Sequence, residues 1–439
     1  MFAINNNKLS RLIKESYSFQ EVQDILSLLH ENNTFFFSAM KNGLFPAAQL
    51  QEEAEYTGYS YVWVRDNIYI DYAHYLNGQI DVALKSIKTF AQYFIKHKWR
   101  FEKIIAGSLD FNEAMNRPHI RFNGNDLSEI RQKWAHAEND ALGYFVWLFS
   151  KLSHEGYIQL TEEEKELLAL FAFYFEKIRY WEDEDSGHWE EKRKIEASSI
   201  GVVVGALEEL KTLLKTTGNG GFSYQSNVVT PEFLDNLIAQ GRNSLDKILP
   251  AECIQDEPEK KRRYDAALLF LIFPMKVVAI DAEMADQILS DVIGHLLGDH
   301  GIRRYIGDSF WAADYKKKLE PDKRTIDVSD DMSKRDSLLK TGEEAQWCIF
   351  DPIISVIYGL KYQKSRNEKH LELQTHYFNR SLGQLTAEDS IFGALKCPEL
   401  YYLEDRKYVP NDTVPLLWTQ ANLWMAFRFM NETLSLAGS

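Results

Sequence analysis

The 439-residue sequence predicts an all-α, single-domain protein, and three observations carry that expectation. Apolar residues recur at helical spacing along most of the chain, while runs alternating at period two are few. Hydrophobic residues make up 45% and aromatic residues 13%, enough for a sizeable core and far from the makeup of a disordered chain. No repeat and no Pro/Ser-rich linker divides the sequence. Many antiparallel helices in one domain over 1–439 are therefore the economical arrangement, with residues 1–45 an N-terminal helical segment.

Taken in order, the first start signal is Ser18-Phe19-Gln20-Glu21, a capping box followed by the apolar positions Val22, Ile25, Leu26, Leu28 and Leu29. Helical spacing continues over 66–96 and 137–153. Thr161-Glu162-Glu163-Glu164 repeats the capping signal ahead of Leu167, Leu168, Leu170 and Phe171. The stretch from Ser198 to Leu214 is apolar on much of its circumference and stops at Gly218-Asn219-Gly220-Gly221, where positive φ is easily reached. Thr230-Pro231 places a cap before a proline pre-set for a first helical turn, opening a helix over 231–247. Further helices are expected near 263–280, 283–298, 344–361 and 414–434. The longest polar stretch, Asp314 to Glu344, reads as a lid, a binding loop or a partly disordered segment.

Charge and composition narrow the function. Lys and Arg total 50 against 65 Asp and Glu, and a net charge of −15 repels phosphate backbones and anionic lipid surfaces. Nucleic acid and membrane partners are not expected. Cys253, Cys348 and Cys397 are too few and too scattered for a disulfide framework or a paired-cysteine metal site, and the eleven histidines show no metal-ligand spacing with them. There is no Gly-rich phosphate cradle and no G-x-S-x-G elbow, so neither a metal nor a cofactor is expected. The first residues lack the apolar stretch of a secretory signal, and no window approaches the roughly 18 apolar residues of a membrane span. A cytoplasmic protein is the expectation.

Several aromatic and charged clusters stand where helices begin. Tyr59-Ser60-Tyr61-Val62-Trp63-Val64-Arg65-Asp66-Asn67 offers aromatic faces for the C–H faces of a sugar, with Arg65 and Asp66 as polar partners for its hydroxyls. A core tryptophan beside a structural ion pair is the competing explanation. Gly187-His188-Trp189-Glu190-Glu191 sets a carboxyl against an indole, where partial burial raises a carboxyl pKa and suits a general acid. Cys397-Pro398-Glu399-Leu400-Tyr401-Tyr402 holds a glutamate ahead of the aromatic terminal helix. Glycoside hydrolysis needs two carboxyls, and Glu190 and Glu399 are the candidate pair. Trp134 to Asp140, Gly301 to Trp311 and Gly342 to Trp347 complete one recurring pattern that suggests a shared rim.

In this order the segments resemble the glucoamylase-type glycoside hydrolases of family 15 and the related amino-terminal domain of the phosphorylase kinase α and β subunits, across nearly the whole chain. The resemblance implies an (α/α)6 barrel of six inner and six outer helices with a funnel-shaped site at one end. It implies inverting, exo-acting release of β-glucose from α-glucosides, with an α-glucan or α-glucosyl oligosaccharide as substrate. Carried over by position, Glu190 matches the general acid and Glu399 the base. Trp63, Arg65 and Asp66 match the wall around the terminal glucose, and Arg304 and Asp308 a further sugar-contacting stretch. Trp134, Trp189, Glu191 and Trp347 are their expected neighbours. The Pro-Glu-Leu-Tyr-Tyr context around Glu399 is nearer the kinase-subunit type, so a sugar-binding regulatory module without turnover is the second reading. Linkage, chain length and oligomeric state are left open.

Overall fold

The computed structural model describes residues 2–49, 52–218 and 220–438. Twelve helices build the framework, labelled here in chain order: α1 Phe19–Glu31, α2 Val64–Leu76, α3 Ile80–Lys96, α4 Asn139–His154, α5 Glu162–Ile178, α6 Ala197–Thr217, α7 Pro231–Ile248, α8 Leu269–Ile272, α9 Glu283–Leu296, α10 Phe350–Ser365, α11 Glu368–Gly383 and α12 Leu417–Ala437. The even-numbered helices are buried on every face over their N-terminal stretches, at 64–74, 139–150, 197–207, 269–272, 350–357 and 417–427. Helices buried all round belong inside a larger assembly. They pack in the order α2, α4, α6, α8, α10, α12 and back to α2, closing an inner ring.

The odd-numbered helices are outer helices; although α5 over 167–175 and α11 over 377–383 are buried all round, most bury a narrower face. In α1 it is Val22, Ile25 and Leu29, and in α7 Leu234, Leu237, Gly241, Leu245 and Ile248. Each follows an inner helix by a reversal, or in α1 precedes one, which makes the (α/α)6 barrel expected from the resemblance. The start signals act as read. Ser18 and Thr161 form complete capping boxes, Thr230 caps α7, and Gly218 ends α6 in the left-handed region at φ 65°.

Several expected boundaries move. The stretch 66–96 is two helices, because Gly78 at φ 80° turns the chain after Asn77. The helix expected over 263–280 shrinks to Ala266–Ile272, since Pro274 forces Phe273 into an extended conformation. Residues 346–347 are strand, so α10 begins at Phe350 instead of 344. The helix α11 was not expected at all: its buried positions include Gln374, Thr375, Asn379 and Arg380, so the apolar period is missing. Short strands escape the period-two search through their length. Gln346–Trp347, Leu400–Glu404 and Lys407–Pro410 form one antiparallel sheet, with Trp347 opposite Leu400.

The polar stretch 314–344 is folded. It contains short helices at Tyr315–Lys318 and Ser333–Asp336 and is tied to the rim at many points. Lys316 Nζ lies 2.6 Å from Asp412, Arg324 Nη1 donates to the Tyr56 hydroxyl at 3.3 Å, and Thr325 Oγ1 donates to the Tyr56 carbonyl at 3.1 Å. Lys133 pairs with Asp330, and Arg335 reaches Glu191 at 2.9 Å. Among the described residues no helix is long and apolar enough to cross a membrane.

Candidate active site

The inner helices all begin at the same end of the barrel, and their first residues and preceding loops supply the candidate side chains. Trp63 to Asp66 open α2, Trp134 precedes α4, Glu190 and Glu191 precede α6, Trp347 precedes α10 and Trp418 opens α12. The sheet brings in Glu399 from far along the chain. Cys348 N–H donates to the Glu399 carbonyl at 2.9 Å and Glu399 N–H to the Thr413 carbonyl at 3.1 Å, fixing its backbone beside Trp347.

Two adjoining chambers result, sharing Tyr59, Trp63, Trp189, Glu190, Arg304 and Trp347. The inner chamber adds Arg65, Asp66, His188, Glu399 and Trp418. The outer chamber adds Thr57, Trp134, Phe310, Arg335 and residues 324–328. Glu190 therefore borders both spaces, whereas Glu399 and Asp66 border only the inner one.

The two carboxyls are held differently. Tyr59 donates its hydroxyl to Glu399 Oε1 at 2.6 Å and Asn411 donates to Oε2. Burial pushes Glu399 up to about 7 against the opposing pull of these donors. Burial also raises Glu190, and Arg65, 2.8 Å away, opposes the rise. Asp66 is pushed up to about 7 by burial, Arg65 pulling it down and the charges of Glu190 and Glu399 adding to the rise. A crowded set of buried carboxyls retains protons near neutrality, which proton-transfer chemistry needs.

Glu190 has a left-handed backbone, φ 52°, just after the turn Gly187–Trp189. That twist sends its neighbour Glu191 elsewhere, into a nest of Arg262 at 3.0 Å, Arg335 at 2.9 Å, Arg304 at 3.4 Å and the Tyr305 hydroxyl at 2.6 Å. Burial alone would raise Glu191, but the three guanidinium groups hold it well below the usual carboxylate range. Asp308 grips Arg304 at 2.6 and 2.7 Å, leaving the guanidinium between the rings of Trp189 and Trp347, 5.0 and 4.7 Å from their centres.

Trp63, Arg65, Asp66, Trp134, Trp189, Glu190, Arg304, Trp347 and Glu399 thus line the chambers, while Glu191 and Asp308 line neither and act through Arg304. Arg65 spends its donors on protein: Asp140 at 2.7 Å, Glu138 and Glu190 at 2.8 Å and the Gly187 carbonyl at 3.1 Å. Among the described residues the Asp66 carboxyl makes no hydrogen bond to another residue, and Asp66 borders the inner chamber. Sequence reasoning passed over Tyr59, His188, Asn411 and Trp418 as site residues. Tyr59, His188 and Trp418 stood within the aromatic segments already singled out; Asn411 carried no signal, because only the hairpin 400–410 returns it to Glu399.

Known proteins share the fold. A Caenorhabditis elegans protein described as a probable phosphorylase b kinase regulatory subunit alpha is 24% identical over 400 residues, 82% of this chain. The chain spans 30% of that relative's length. Among solved structures, a glycosidase variant in complex with glucose superposes with a TM-score of 0.62 at 15% identity over 99% of both chains. A bacterial glucoamylase complexed with acarbose gives 0.58 at 14% identity, over 89% of this chain and 53% of that one. At such identities these structures establish a shared fold. The family model of the glycosyl hydrolases family 15 matches residues 29–420, and the chain belongs to that family.

Proposed function

We propose that the protein is an inverting, exo-acting α-glucosidase that removes β-glucose from the non-reducing end of short α-glucans or disaccharides. The observation that carries this reading is the placement of the two carboxyls: Glu190 at the junction of the chambers and Glu399 in the inner chamber alone. With the terminal glucose inside beside Asp66, Trp63 and Trp418, the glycosidic oxygen falls at the junction. Glu190 donates its proton to that oxygen as the C1–O bond breaks. Glu399 takes a proton from a water that attacks C1 from the opposite face, and the sugar leaves with inverted configuration. Inversion requires the carboxyls roughly 6.5–9.5 Å apart, leaving room for that water.

Proton NMR of fresh reactions with maltose, isomaltose, trehalose and maltotriose tests the reading. β-Glucose appearing first supports it, and α-glucose appearing first refutes inversion. A second reading, a sugar-binding regulatory module without turnover, is favoured by the match to a kinase regulatory subunit and by the Pro398-Glu399-Leu400 context. Binding without product across the same panel selects it. The three buried cysteines, none in a disulfide, support a reducing, cytoplasmic setting for either.

A further inference from the structure

We infer that the segment 314–344 is a fixed outer wall of the leaving-group chamber that limits the site to disaccharide-sized α-glucosides. The inference rests on the glucoside reading above and extends it to substrate length. Arg324, Thr325, Ile326, Asp327, Val328 and Arg335 all line the outer chamber, on the side of Glu190 away from Glu399 and Asp66. A sugar leaving through protonation by Glu190 must therefore occupy the space these residues bound.

The segment is fastened on both flanks of the chamber. On one side Arg335 enters the buried nest of Glu191, and its Nε donates to Ser309 at 3.0 Å, while Ser309 donates to Asp336 at 2.6 Å. On the other, Lys316 and Arg324 hold Asp412 and Tyr56, and Arg324 also donates to the carbonyls of Leu319 and Lys316 at 3.0 and 3.1 Å. Such partly buried, multiply bonded ties resist displacement far better than exposed pairs. The two chambers are small and share six lining residues, so together they form one compact hollow and not a long groove.

The wall also offers a polar contact. Asp327 Oδ1 accepts from Ser329 N–H and Oγ at 2.9 and 2.7 Å, while Oδ2 is buried without a hydrogen bond, and Lys133 Nζ stands 3.8 Å from it. Lys133 meets the charge of this oxygen, but the oxygen accepts no hydrogen bond, and a hydroxyl of the leaving sugar would supply one.

The test is calorimetric binding to the Glu190→Gln protein, which reads ligand length without turnover. Maltose or isomaltose should bind at least about tenfold more tightly than the corresponding heptaose. Equal or tighter binding of the heptaose overturns the inference. Adding Arg324→Ala, which loosens the wall away from the carboxyls, should narrow that ratio about threefold or more. A ratio unchanged by Arg324→Ala also overturns it. Length discrimination without any hydrolysis by the unmodified protein would remove only the hydrolytic reading, and absence of binding by every ligand would remove both.

Discussion

Arg65 Nη1 stands 2.8 Å from Glu190 Oε1 while the same guanidinium holds Asp140 through Nε and Glu138 through Nη2. One buried cation thus orients the candidate acid and binds the carboxyl groups of Asp140 and Glu138 behind it. Removing one partner of a buried ionic cluster leaves the others uncompensated, at a cost of about 3–5 kcal/mol. Arg65→Met is expected to lower the unfolding free energy by that amount, read from urea midpoints at pH 7; a midpoint unmoved from the parent's would mean that the cluster is not what holds this end of the barrel.

The acid and base assignments predict that Glu190→Gln and Glu399→Gln each reduce kcat on an active glucoside by about 10²–10⁴-fold. Both replacements conserve shape, so far-UV circular dichroism and thermal midpoints should stay near those of the parent. Full activity in either variant removes that residue from the mechanism.

The proton inventory predicts a bell-shaped pH profile for kcat/KM. Glu399 must be ionised to accept a proton, and burial pushes it up to about 7, so activity should rise with pH through that region. Glu190 must be protonated, so activity should fall once pH passes its raised value. The Tyr59 hydroxyl stabilises ionised Glu399. Tyr59→Phe should therefore move the rising limb to higher pH, and an unmoved limb would detach Tyr59 from the base.

Helix α5 gives a test remote from the site. Thr161 accepts from Glu164 N–H at 3.3 Å, and Glu164 accepts from Thr161 N–H at 2.9 Å. Thr161→Ala is expected to cost about 1 kcal/mol in chemical denaturation. Glycosidase activity at 25 °C should not change.

How far the sequence foretold these features depended on whether the deciding physics was local. Capping at Ser18, Thr161 and Thr230 rests on side chains within three residues of the backbone groups they satisfy, so those starts could be read directly. The all-round burial of α6 likewise shows in its unbroken apolar run. Helix α11 was invisible because tertiary partners satisfy its buried polar residues: Arg380 bonds Asp351, and Asn379 accepts from the Tyr17 hydroxyl, 362 positions away. The aromatic clusters pointed to a common rim, since inner helices must all begin at one end of such a barrel. That Arg65 turns inward, that Glu191 and Asp308 serve Arg304, and that Asn411 returns to Glu399 depend on long-range pairing, which no local pattern encodes.

The turn at Glu190 joins two carboxyl groups of opposite character in consecutive positions: one bordering both chambers with its proton favoured, the next kept anionic among three guanidinium groups. Gly187 turns the chain at φ 55°, and a Cβ there would fall 1.5 Å from Glu196 Oε2, so a side chain at this position would have to displace the buried Glu196 carboxyl. Inserting or deleting a single residue between Gly187 and Lys194 is expected to displace Glu190, the proposed proton donor, from the chambers. The spacing of this turn is thus as constrained as its chemistry, and redesign of the pocket should vary the walls around it while leaving its length alone.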